Sequence, residues 1–172
     1  MITRKRILFG IVFGIALAAD LITKWAAFRF LDWGKRYSVI SGFLDIENAK
    51  NYGIVFGVKA PPILVMLVSA IASIIIIWYL FSPKGRPPVV QIYLGCILTG
   101  VIGNLYDRLA FGYVRDFILL YVKEHRWPNF NFADAFILIG VVLAMIQFIL
   151  TEEPKKKQGA QKTGQKASDV GS

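Results

Sequence analysis

The chain has 172 residues, 56% of them hydrophobic and 18% charged, with a mean hydropathy of +0.56. That balance excludes an ordinary soluble domain and leaves room for one membrane-embedded domain, not two. A net charge of +9 would suggest nucleic acid in a soluble protein, but here the basic residues flank apolar runs, where they set topology, so no nucleic acid is expected.

Four apolar runs, at residues 7–28, 62–81, 89–110 and 133–150, each approach the roughly 20 residues that a helix needs to cross the hydrocarbon. Before the first stand Arg4, Lys5 and Arg6; the stretch ending Ala16-Leu17-Ala18 resembles a cleavable secretory signal, but hydrophobicity resumes after Asp20, so a retained span is expected. Gly10 and Gly14 in that span form a GxxxG pair, read as close helix packing. Lys84 and Arg86 lie between the second and third runs, and Lys155, Lys156 and Lys157 follow the fourth. By the positive-inside rule these segments and both termini are cytoplasmic, leaving 29–61 and 111–132 on the outer face. Trp25, Trp33 and Trp127 fit an outer aromatic belt. The first outer segment alternates apolar and polar residues with Gly and Asn punctuation, which predicts a small sheet there. The expected fold is therefore all-α and membrane-embedded, with four transmembrane helices and a small β-sheet platform in the first outer segment. Residues 1–151 form the membrane domain, and the basic tail at 152–172 is expected to be disordered.

The polar residues of the spans gather at one depth. Asp20 and Lys24 are four apart on one helical face and can pair. Gly100, Asn104 and Arg108 recur at four-residue steps beside Asp107 near the outer end of the third span. Asp116 follows in the second outer segment, read as a loop, and Asn131 and Asp134 stand where the fourth span begins. An ionisable group within a span costs about 2.5–3.5 kcal/mol at its centre, so a cluster implies partners, water or function. The second span offers only Ser69 and Ser73, so a polar path through both halves of the membrane is not visible.

Cys96 is the single cysteine and His125 the single histidine, and HExxH, G-x-S-x-G and phosphate-loop patterns are missing, so thiol, zinc, serine-elbow and nucleotide mechanisms lack their parts. No metal or organic cofactor is expected. Asp116 and Asp134 are candidates for an acid pair, in which one carboxyl stays protonated while the other takes a proton from water. The plainer alternative, interfacial aspartates capping helices, stays open, since Asp134 suits a helix N-terminus.

The segments "DLITKW" (20–25), "NYGIVFG" (51–57), "GVIGNLYDRL" (100–109), "VRDFI" (114–118) and "FNFADAFI" (130–137) together resemble the ordered motifs of the lipoprotein signal peptidase family, also called signal peptidase II. The resemblance runs from the first span to the fourth. It implies an aspartic endopeptidase of the bacterial inner membrane that removes the signal peptide from diacylglyceryl-modified prolipoproteins, cutting before the lipidated cysteine. Its partners would be those precursors and membrane lipids, and a monomer is expected. The resemblance puts the catalytic carboxyls on Asp116 and Asp134. Supporting residues fall on Asp20, Lys24, Asn51, Gly53, Gly100, Asn104, Arg108, Asn131 and Ala133. By position, Arg108 and Asn104 would tether loops and substrate carbonyls, and Asp20 and Lys24 would buttress the fold. Arg115, just before Asp116, has two readings: it lowers the neighbouring carboxyl's pKa, or it faces lipid headgroups. On the residues alone, a small transporter using Asp20, Lys24 and Arg108, or a non-catalytic scaffold binding through its outer loops, stays open.

Overall fold

A computed structural model of the protein describes residues 4–53, 61–82 and 87–168. The chain order is α1 (Arg4–Phe30), β1 (Arg36–Ile40), β2 (Leu44–Asn51), α2 (Pro62–Phe81), α3 (Pro88–Phe111), β3 (Val114–Val122), β4 (His125–Arg126) and α4 (Phe132–Ser168). Each helix contains a stretch long and apolar enough to cross a membrane, at Ile7–Phe30, Pro62–Phe81, Pro88–Phe111 and Phe132–Thr151. The expected spans are all present, within two residues at each end. The basic turn carrying Lys84 and Arg86, and the motif "NYGIVFG" from Ile54 onward, lie outside the described residues.

α3 is the hub, packing against α1, α2 and α4. Of its apolar stretch 56% is buried in protein, against 11% for α2 and α4. Bulky side chains such as Ile74, Trp78, Leu138 and Phe148 are more than half exposed, a surface that is stable only with lipid against it. α2 and α3 both begin with proline in the first turn, where its fixed φ suits the helix and its missing N–H costs nothing.

Close approach of the helices is set by glycines other than the pair singled out in the sequence. A Cβ at Gly10 or Gly14 would meet open space, so that GxxxG pair is not a packing seam within the chain. A Cβ at Gly100 would collide with the Ala133 carbonyl and Ile137, and one at Gly140 with Ile97 and the Tyr93 carbonyl, so α3 and α4 meet backbone to backbone. Gly103 is pressed against the Asp20 carboxylate of α1 in the same way.

The sheet has four antiparallel strands in the order β1-β2-β3-β4. The small sheet expected in the first outer segment is there, but half its strands come from the second. Asp116, placed by the sequence in an outer loop, lies in β3, opposite Ala49 of β2. The cause is a sharp reversal after α3, which ends on Gly112 at φ 79°, a left-handed conformation that glycine adopts without a Cβ penalty. Two residues later β3 runs back beside the helix end. At the other terminus, α4 runs on to Ser168.

These contacts predict opposite outcomes for two similar substitutions. Gly103→Ala drives a methyl onto the Asp20 carboxylate and should destabilise the protein by about 1–3 kcal/mol, visible as a lower Tm in detergent, whereas Gly14→Ala should leave Tm unchanged or slightly raised. Equal effects would contradict the packing described.

Candidate functional site

The polar residues of α1, α3 and α4 meet at the bundle end that carries the sheet. Asp20 and Lys24 pair as their spacing predicts, with 2.8 Å between Nζ and Oδ2 and both side chains fully buried. The Asp20 Oδ1 accepts the backbone N–H of Ala133 at 2.8 Å, tying α1 to the first turn of α4. Lys24 also lies 3.5 Å from Asp107 Oδ2 and donates to Asn104 Oδ1 at 3.1 Å.

Arg115 follows neither of its two expected readings. It turns away from Asp116, donating its backbone N–H to Asp107 Oδ2 at 2.9 Å and its Nε and Nη2 to Asp107 Oδ1 at 3.1 and 2.7 Å, with its guanidinium over the Phe111 ring. Asp107 and Arg115 are thus working members of the site that the sequence did not assign. Their pairing crosses the Gly112 reversal, and the glycine at the helix end was the available signal.

Two carboxyls complete the cluster. Asp116 is 1% exposed; its Oδ2 accepts from Asn51 Nδ2 at 3.0 Å and its Oδ1 from Asn131 Nδ2 at 2.6 Å. Asn51 reaches it because the two positions are diagonal neighbours across β2 and β3. Asp134 is half-buried, accepting from Asn104 Nδ2 at 2.8 Å and from the backbone N–H of Asn131 at 3.2 Å. The Asp134 N–H in turn donates to Asn131 Oδ1 at 3.1 Å, which makes Asn131 and Asp134 a reciprocal capping box at the start of α4. The helix-capping alternative is therefore correct for Asp134, and it coexists with convergence on Asp116, since Asn131 touches both carboxyls.

The direction of each amide is set by a group that can only donate. Gly53 N–H donates to Asn51 Oδ1 at 2.9 Å, Lys24 to Asn104 Oδ1, and the Asp134 N–H to Asn131 Oδ1. With their oxygens engaged, all three asparagines turn NH2 groups toward the two carboxyls. Arg108, half-buried, donates Nη2 to the Gly53 carbonyl at 3.0 Å and Nη1 to the Asn104 carbonyl at 3.3 Å. Gly100 and Ala133 act through backbone contact, by helix approach and as the partner of Asp20.

Burial, and next the nearby Asp134 carboxylate, push Asp116 from its ordinary 3.8 up to about 7, against the opposing pull of the Asn51 and Asn131 hydrogen bonds. Among the described residues, no group of three or more His, Cys, Asp or Glu side chains could hold a metal ion.

A family model described as signal peptidase (SPase) II matches residues 12–150. The lipoprotein signal peptidase of Symbiobacterium thermophilum is 33% identical over 139 residues, covering 80% of this chain and 91% of its own. That of Clostridium tetani is 36% identical over 145 residues, covering 83% and 91%, and that of Aquifex aeolicus 36% over 141 residues, covering 80% and 83%. Two solved structures, each described as a bacterial membrane enzyme obtained by the in meso method, share the fold. One has a TM-score of 0.78 at 24% identity, covering 84% of this chain and 90% of that one; the other has 0.74 at 25% identity, covering 81% and 91%.

The raised Asp116 makes stability depend on pH with a definite sign. Between its ordinary 3.8 and about 7 the folded chain holds a proton that the unfolded chain has lost, so stability should fall as pH rises through that window and level off above it. Thermal unfolding in detergent from pH 4 to 8, about the range of those two values, should show this slope in the wild type and a flatter one in Asp116→Asn; parallel curves would contradict it.

Proposed function

This chain belongs to the signal peptidase II family, and from that premise we propose that it is an aspartic endopeptidase that removes the signal peptide from diacylglyceryl-modified prolipoproteins, cutting before the lipidated cysteine. Asp116 and Asp134 are the catalytic pair. The observation that carries this reading is a charge count. Among the described residues, the site holds four carboxyls, Asp20, Asp107, Asp116 and Asp134, against three cations, Lys24, Arg108 and Arg115. Asp20, Lys24, Asp107 and Arg115 neutralise one another in direct ion pairs. That leaves Arg108 facing two carboxyls, and a buried site avoids a net charge by keeping one proton between them.

A pair sharing one proton can work on a peptide bond. The ionised carboxylate takes a proton from water as the water oxygen bonds to the scissile carbonyl carbon, and the protonated carboxyl donates to the carbonyl oxygen. When the tetrahedral intermediate collapses, the C–N bond breaks and the proton taken from water passes to the leaving amine. Asp134 and Arg108 are half-buried and Asp116 is 1% exposed, so in this reading the scissile bond approaches from the side of α4 and Asp134. The substrate helix enters sideways from the bilayer. By the positive-inside rule the site lies near the outer face of the bacterial inner membrane, with both termini cytoplasmic. A transport path finds no support in α2, where the Ser73 hydroxyl closes back on the Ser69 carbonyl at 2.8 Å.

Cleavage of a synthetic diacylglyceryl prolipoprotein by purified protein tests the proposal. Asp116→Asn and Asp134→Asn should each lose about 10²–10⁴-fold in rate with Tm near or above wild type in the neutral range, and chelators should leave the wild-type rate unchanged. Activity near wild type in either variant would end the aspartic reading.

A further inference from the structure

The buried charges beside the catalytic pair have a second consequence, which rests on the reading of Asp116 and Asp134 given above. We infer that Lys24 is a positioning residue for that pair: by occupying the side-chain Oδ1 of Asn104 it turns the Asn104 amide NH2 onto Asp134 and so holds that carboxyl in place beside Asp116.

An ammonium has three donors and no acceptor. The Lys24 Nζ donates to Asn104 Oδ1 at 3.1 Å and stands in ion pairs 2.8 Å from Asp20 Oδ2 and 3.5 Å from Asp107 Oδ2. Asn104 cannot offer its NH2 there without setting donor against donor in a buried site. Its Oδ1 also receives Asn131 Nδ2 at 3.2 Å. The amide nitrogen is left facing Asp134 Oδ1 at 2.8 Å, a contact satisfied by an accepting oxygen. The second oxygen of Asp134 is taken by the Asn131 N–H in the first turn of α4, where the helix dipole favours negative charge. Asp116 lies in β3 and meets the start of α4 through the Asn131 side chain, at 2.6 Å.

Among the described residues, the charged groups around Asp134 come from three elements. α3 presents Arg108 and Asp107, β3 presents Asp116 with Arg115 behind Asp107, and α1 presents the Asp20–Lys24 pair. Arg108 acts on Asp134 by charge. Lys24, already neutralised by two carboxylates, acts by fixing the direction of one amide.

Asp20→Asn/Lys24→Met removes one charge of each sign, keeps an acceptor for the Ala133 N–H and frees Asn104 to turn. On the diacylglyceryl prolipoprotein, kcat should fall about 100-fold with KM little changed, and the acid limb of the kcat/KM profile should move up by about one pH unit. Asn104→Leu should do the same, and adding it to the double variant should cause no further loss. Lys24→Arg, which keeps the donor, should retain most of the rate. If Lys24 only shores up the fold, the losses multiply and the acid limb stays in place, and the inference is overturned. Should the double variant fail to fold, Asn104→Leu alone decides, since an unmoved acid limb there contradicts it. Full activity in Asp116→Asn or Asp134→Asn would sink the aspartic reading itself, whereas additive losses beside inactive dyad variants sink the Lys24 relay alone.

Discussion

A charge inside an apolar bundle must find its opposite, and that constraint shapes this molecule. Asp20, Lys24, Asp107 and Arg115 are all 7% exposed or less, and each would be prohibitive alone. Joined, they fix α1, α3 and β3 to one another at one end of the bundle. Removing one partner leaves an uncompensated charge, typically a loss of 3–5 kcal/mol. The arrangement is thus specific more than it is strong: the ion pairs admit one registry of helices and strand, and that registry puts Asp116 opposite the start of α4.

Small residues make the registry physically possible. α3 must approach α4 at Gly100 and Gly140 for Ala133 to reach Asp20, and must leave room at Gly103 for the Asp20 carboxylate. The asparagines then convert rigid scaffolding into orientation. Each has its oxygen held by a pure donor and its NH2 spent on a carboxyl, so the pair sits in a hydrogen-bonded frame before substrate arrives. Such preorganisation lowers the cost of reaching the transition state.

Much of this was legible in the sequence because it is local. Apolar runs of helical length marked the four spans, and the four-residue spacings of Asp20 with Lys24 and of Gly100, Asn104 and Arg108 marked shared faces. What escaped were the pairings between elements. "VRDFILLYV" carries no signal of the strand it will join, so the second outer segment was read as a loop although β3 is the central strand that holds Asp116. Arg115 could not be understood before Asp107 was known to lie across the Gly112 reversal. Likewise Gly10 and Gly14 have the spacing of a packing seam, but spacing does not say whether a partner helix is present, and here a Cβ would meet open space.

Among the described residues, four carboxyls, three of them buried and Asp134 half-buried, face three cations, and the proposal is that they share one proton held between Asp116 and Asp134. Isotope-edited infrared spectroscopy of the folded protein below neutral pH counts protonated carboxyls directly. A single protonated aspartic acid is expected among the four, lost on replacing Asp116 by Asn and returning to the carboxylate form as pH rises past about 7. A spectrum with no protonated carboxyl, or one whose band survives in Asp116→Asn and disappears in Asp20→Asn, would contradict it.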